Sequence, residues 1–142
     1  MWLWGTGMAY IAGAIVLLLI GGAVYYQLKL NQRKKGWTRE AFVAEFQRLQ
    51  IPVEVSRAVY DHYCRNSVLR SYRVSPDDSL GAVYAASHDE VDDVALELCG
   101  RLGIELPSES VLRQWPTPLQ TVRDMVLWLN WVRTHRSDDL RQ

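Results

Sequence analysis

Residues 8–26 read MAYIAGAIVLLLIGGAVYY, a run without a charged side chain, and no charge occurs anywhere from Met1 to Leu28. As a helix rising about 1.5 Å per residue, this run is about 30 Å long, the thickness of a bilayer's hydrocarbon core. The reading is a membrane-spanning helix over 8–28. Trp2, Trp4 and Tyr10 mark one end and Tyr25 and Tyr26 the other. Their amphipathic rings favour the headgroup level.

The flanking charges set the expected orientation. Lys29, Arg33, Lys34, Lys35 and Arg39 follow the apolar run, and the first acidic residue is Glu40. A cluster of this kind resists translocation. The expectation is a single-pass protein of a bacterial-type inner membrane, N-terminus outside and C-terminal domain in the cytoplasm. The lipid bilayer is its first partner. A cleaved signal peptide would carry its positive charge ahead of the apolar run, not behind it; Gly21-Gly22-Ala23 is the weak cleavage candidate. Gly5, Ala9 and Gly13 recur at spacing four, a small-residue stripe suited to close helix approach.

Setting those five basic residues aside leaves 11 basic against 16 acidic residues over 40–142, a net charge of −5. Nucleic acid needs a basic face, so no nucleic-acid partner is expected. Cys64 and Cys99 form no CxxC pair; they read as two packed thiols, or as one disulfide.

The soluble part divides into a basic juxtamembrane linker (29–37), a helical domain (38–134) and a charged tail (135–142). Thr38 suits a helix N-cap, and Phe42, Phe46 and Leu49 recur at helical spacing until Pro52. A second helix over about 53–67 carries Val55, Val59 and Tyr63. Turn chemistry fills 74–78, and Leu80, Val83 and Tyr84 suggest a short helical turn. Ser87 with Glu90 three residues on is a capping box, opening a helix with Val91, Val94, Ala95, Leu98 and Leu102 on its apolar face. Gly103 suits its C-terminal cap. A brief helix follows Ser108, and Trp115-Pro116-Thr117-Pro118 is a stiff linker. The last helix is expected from near Pro118 to Thr134, with Leu119, Val122, Met125, Val126, Leu129 and Val132 facing inward. No strand and no internal repeat stands out. The fold class is all-α.

Two segments carry a resemblance: Leu102-Gly103-Ile104-Glu105-Leu106-Pro107, then Thr121-Val122 with Val126 and Leu129 four and seven positions after that valine. This resembles the second half of an acyl carrier protein, over about 55–129 and best over 91–129. The resemblance implies a small acyl-carrier-like bundle, here behind an anchor and an extra N-terminal helix, with the 87–102 helix facing partners. It also implies a phosphopantetheine-bearing serine in Asp-Ser-Leu at the start of that helix. Counting back from Pro107 without a gap puts His88 in the serine slot; a two-residue shift puts Glu90 there. Neither has a hydroxyl, so no phosphopantetheine and no other cofactor is expected. Ser79 and Ser87 are the remaining candidates.

Asp89, Glu90, Asp92 and Asp93 crowd the first turns of this helix. Each favours the helix dipole by about 0.3–1 kcal/mol, and together they suit docking to a basic protein surface at the membrane. His62, Cys64, His88, Cys99 and His135 are too scattered for a metal site, and no catalytic constellation is present. Tyr60, Tyr63, Tyr72 and Tyr84 read as packed rings. The function expected is a non-enzymatic, membrane-tethered adaptor. The alternatives are a membrane-anchored acyl carrier modified at Ser79 or Ser87, and an accessory subunit of a membrane enzyme complex.

Overall fold

A computed structural model describes the backbone of residues 3–67 and 73–139, with side chains over 7–67 and 73–135. Among the described residues there are seven helices and no strand. The chain divides into two units, 1–35 and 36–142. Trp2 and Tyr72, and the side chains of Trp4 and of the tail beyond 135, lie outside the described residues.

The first unit is one helix, α1 (Leu3–Arg33). It is long and apolar enough to cross a membrane. Every residue from 7 to 23 is exposed, including Leu17 at 71% and Leu18 at 75%. The helix runs past the apolar stretch and takes in the first basic residues, Lys29 and Arg33.

The second unit holds α2 (Arg39–Gln47), α3 (Val53–Asn66), α4 (Leu80–Tyr84), α5 (His88–Leu102), α6 (Glu109–Leu112) and α7 (Val122–Asp139). Helices α3, α5 and α7 pack on one another, and α2 packs on α3. The core follows helical periodicity: Val55, Val59 and Tyr63 from α3, Val91, Ala95 and Leu98 from α5, and Val122, Met125, Val126, Leu129 and Val132 from α7 are all buried. Phe42 and Phe46 of α2 close one end, their rings 5.0 Å apart, with Tyr60 5.3 Å from Phe42. Arg133 pairs with Glu54 across α7 and α3, and Arg39 with Asp61 across α2 and α3.

Within the second unit, two elements depart from the sequence expectation. Helix α2 ends at Gln47, before Pro52 is reached. Gln50 takes a left-handed conformation (φ 60°), and the Ile51 N–H donates back to the Phe46 carbonyl at 3.2 Å. This closing turn buries Ile51 and leaves Leu49, expected in the core, 52% exposed. Helix α7 begins at Val122 rather than near Pro118, so Leu119 packs on the core from a non-helical segment. The start is set by reciprocal capping. The Thr121 hydroxyl accepts from the Asp124 N–H at 3.2 Å, and the Asp124 carboxylate accepts from the Thr121 N–H at 2.9 Å. The helix also continues through 135–139, which were expected as tail.

Residues 75–80 serve as a clamp on the start of α7. Pro76 and Asp78 carbonyls accept from the Arg123 and Val122 N–H groups at 2.8 and 3.0 Å, satisfying amides that a helix N-terminus leaves unpaired. The Leu80 N–H donates to the Gln120 carbonyl at 2.9 Å, and Ser79 bridges Thr121. Asp78, 4% exposed, holds the clamp by accepting from the Ser75 N–H and the Tyr84 hydroxyl, each at 3.0 Å.

Left-handed residues close three of these helices: Gln50, Ala85 (φ 53°) and Gly103 (φ 64°). Only the third is glycine. Gln50→Gly and Ala85→Gly are each expected to gain a few tenths to about 1 kcal/mol, and Gly103→Ala to lose a comparable amount. Thermal midpoints of the three variants check the opposite signs.

Candidate functional site

The start of α5 lies where the sequence reading puts it. Ser87 is the N-cap, its hydroxyl accepting from the Glu90 N–H at 3.3 Å. The Glu90 carboxylate accepts in return from the Ser87 N–H at 2.7 Å. That bond from the Ser87 backbone, followed by the one involving its side chain, pulls the Glu90 carboxyl below the usual range. Glu90 and Ser87 thus both have local work in the capping box. His88 is the first residue of α5 and is exposed.

His88 borders a cavity of about 260 Å³ with Ser79, Gly81, Val91 and Gln120. The structure therefore brings Ser79 and His88 to one cavity although nine positions separate them in sequence. Ser79 caps α4, its hydroxyl accepting from the Ala82 N–H at 3.2 Å.

The four acids fan around α5 rather than pointing one way. All are exposed. Asp92, two positions after Glu90, projects to nearly the opposite side. It borders an apolar groove of about 380 Å³ lined by Leu96, Leu112, Trp115, Leu119 and Trp128. Glu90 borders a third cavity, of about 290 Å³, between the end of α3 and the joint of α4 and α5.

This third cavity was not foreseen from the sequence. His62, Tyr63, Asn66 and Tyr84 line it, with Ala86 and Val94. The Tyr63 and Tyr84 rings lie 4.6 Å apart. Tyr63 is 4% exposed, and its hydroxyl is buried with no hydrogen-bond partner among the described residues. Such an unpaired group costs about 1–3 kcal/mol. Burial drives its phenol well above the ordinary range.

His62 is 6% exposed. Burial lowers its pKa, against the opposing pull of Glu97 3.9 Å away and with the help of Arg101 and Arg65. The Asn66 amide nitrogen lies 3.1 Å from Nε2 and 3.5 Å from Nδ1, and Glu97 faces Nδ1. A folded pKa below the unfolded value means that protonation favours unfolding. Stability is expected to fall as pH drops below about 6.5, the unperturbed histidine value. His62→Gln should flatten that slope between about pH 7 and 5, read from denaturant midpoints across the range.

Cys64 is partly buried and Cys99 fully so, and neither is in a disulfide. Burial raises both, Cys99 to about 11, which keeps them protonated and unreactive. Among the described residues no group of three histidine, cysteine, aspartate or glutamate side chains is placed to hold a metal ion. Tyr60 and Tyr63 are core residues and Tyr84 packs against the core.

No protein-family model, curated protein or solved structure matches this chain.

Proposed function

We propose that this chain is a non-enzymatic, membrane-tethered adaptor, built on an acyl-carrier-like bundle in which histidine has replaced the prosthetic-group serine. The observation that carries this reading is His88. The gapless count from Pro107 assigns His88 to the serine slot, and His88 is also the first residue of α5, exposed beside a cavity. An imidazole there has no hydroxyl to accept a phosphodiester. The shifted register assigns the slot to Glu90, whose carboxylate is occupied by capping.

The packing of α3, α5 and α7 suits the resemblance, since a carrier's three long helices form one bundle. Lys29, Arg33, Lys34, Lys35 and Arg39 support an inner-membrane location with the domain in the cytoplasm. Tethering confines the domain to a thin layer and raises its effective concentration for membrane-associated partners. Asp89, Asp92 and Asp93, exposed on α5, are the residues proposed to meet a basic partner surface.

Intact-mass measurement of the chain from its native host tests the reading. The expected mass is that of the chain without a phosphopantetheine group. A phosphopantetheine adduct lost in Ser79→Ala or Ser87→Ala overturns it and establishes the carrier reading. The carrier reading is favoured at Ser79 by one observation, its place in the same cavity as His88. For the adaptor role, in-membrane crosslinking of Asp89→Lys/Asp92→Lys/Asp93→Lys should recover any recurrent partner at least about tenfold less well than the parent chain, as expected for a charge-steered contact.

A further inference from the structure

The apolar groove that Asp92 borders has the make-up of a ligand site. At about 380 Å³ it is larger than the other two cavities and falls within the range of small-molecule pockets. Several segments build it. Helix α5 gives Asp92 and, four positions on along the same face, Leu96. The connector after α5 gives Leu106, α6 gives Leu112, and α7 gives Trp128. The stretch from Trp115 to Pro118 closes the groove. Pro116 and Pro118 fix their own backbone angles, so this wall needs little ordering when a ligand arrives.

The apolar walls are open to solvent. Among the described residues of the second unit, three large apolar side chains are exposed: Leu49, Leu96 and Leu106. Two of the three line this groove, at 50% and 44% exposure, although they come from different segments. Leu112, Trp115, Leu119 and Trp128 are half-buried around them. A single exposed leucine such as Leu49 is ordinary, whereas exposed apolar residues that converge on one concavity mark a binding surface.

Charge sets the sign of the ligand. Among the described residues, Asp92 is the one charged residue on the lining, and its carboxylate has no hydrogen bond or ion pair. Asp89 and Asp93 lie beside it on α5, both exposed. The basic side chains of the same elements are engaged elsewhere. Arg113 pairs with Glu109 at 2.6 Å, Arg123 with Glu45 and Asp77, and Arg133 with Glu54. Arg101 acts on His62 of α3, His135 is 2.9 Å from the Trp131 carbonyl, and His88 borders the neighbouring cavity. The groove therefore sits in a negative local field, which favours a cation over an anion.

We propose that this groove binds an amphiphilic amine, a small aromatic or branched alkyl body carrying an ammonium group. The body lies among Leu96, Leu106, Trp115 and Trp128, and the ammonium pairs with the Asp92 carboxylate. Asp92 is exposed, so water and salt screen that pair, and the apolar walls supply most of the affinity. A cation that meets a tryptophan face gains further attraction. Occupancy by an amine is independent of the adaptor reading, although Asp92 belongs to both.

The test uses the full chain in nanodiscs of zwitterionic lipid at low ionic strength. Phenethylamine is the probe, with phenethyl alcohol and hydrocinnamate as its neutral and anionic counterparts. The tryptophan indole N–H signals are followed by NMR, and Trp115→Phe and Trp128→Phe assign the two that matter. Both signals should shift saturably with phenethylamine, with a Kd of about 1–10 mM, as befits so few atoms. The alcohol should bind about threefold more weakly and hydrocinnamate at least about tenfold more weakly. Asp92→Asn should weaken the amine about threefold and leave the alcohol unchanged, which a merely structural role for Asp92 would not do. Leu96→Gln/Leu106→Gln, at exposed positions, should weaken amine and alcohol alike at least about fivefold while moving the thermal midpoint by no more than about 4 °C. The proposal is overturned by the absence of a saturable shift at Trp115 and Trp128, by hydrocinnamate binding as tightly as the amine, or by undiminished amine binding to either variant.

Discussion

The double substitution Ile15→Arg/Leu18→Arg is expected to move the chain out of the membrane fraction. Both residues lie mid-way along α1, 52% and 75% exposed. Each arginine at a helix centre costs about 2.5–3.5 kcal/mol on insertion scales. The leucines, isoleucines and valines between Met8 and Tyr26 together supply about 2–5 kcal/mol on the same scale. Two central arginines therefore reverse the sign of insertion. Leu18→Ile, which keeps the transfer energy, should leave the distribution untouched. Membrane and soluble fractions separated by centrifugation and probed for the full-length chain give the answer. Residence of the doubly charged variant in the membrane at the level of the parent chain would show that α1 is not what holds it there.

Leu129→Ala is the second large effect. Leu129 is 0% exposed on α7, within the core shared with α3 and α5. Truncating a buried leucine loses its transfer energy and leaves a cavity, about 2–5 kcal/mol in all. Domains of this size have about 5–15 kcal/mol of total stability, so the variant approaches the unfolding threshold. Its thermal midpoint should drop by about 10 °C or more, since 1 kcal/mol shifts a domain of this size by about 4–8 °C. Leu49→Ala is the informative contrast. Sequence spacing alone treats Leu49 as the equal of Phe46, yet it is 52% exposed and its loss should change stability by no more than about 0.5 kcal/mol. Equal losses for the two leucines would contradict the packing described.

The difference between these two leucines shows what a sequence makes legible. Helix α5 is readable at both ends, because Ser87 with Glu90 and then Gly103 are strong local signals and the structure uses all three. Helix α1 is readable from transfer energy alone. The end of α2 is not, because the left-handed turn falls on Gln50, a residue type with no preference for it. A proline at 52 draws attention to the wrong place. At α7 the same thing happens in reverse: Pro118 suggests a start, while the capping pair Thr121 and Asp124 sets it. The clamp from Ser75 to Leu80 onto residues 120–123 is made of backbone bonds between distant segments, which no periodicity reveals.

The candidate sites divide in the same way. The capping box at Ser87 is local and was legible. The meeting of Ser79 with His88 depends on how α4 folds back before α5. The cavity behind Tyr63 joins α3 to Tyr84 and Glu90, more than 20 positions further on, and only tertiary packing assembles it. Tyr63 reads from sequence as an ordinary core ring on the face of Val55 and Val59. Its ring does pack there, and only its hydroxyl departs from that role.

Residence of α1 in lipid would decide where the second unit works. Extraction of native membranes at alkaline pH, which strips peripheral proteins and leaves integral ones, tests that most directly. The full-length, uncleaved chain should stay in the membrane pellet and be released only by detergent. Its appearance in the alkaline supernatant, or its recovery as a freely soluble chain without detergent, would contradict the account.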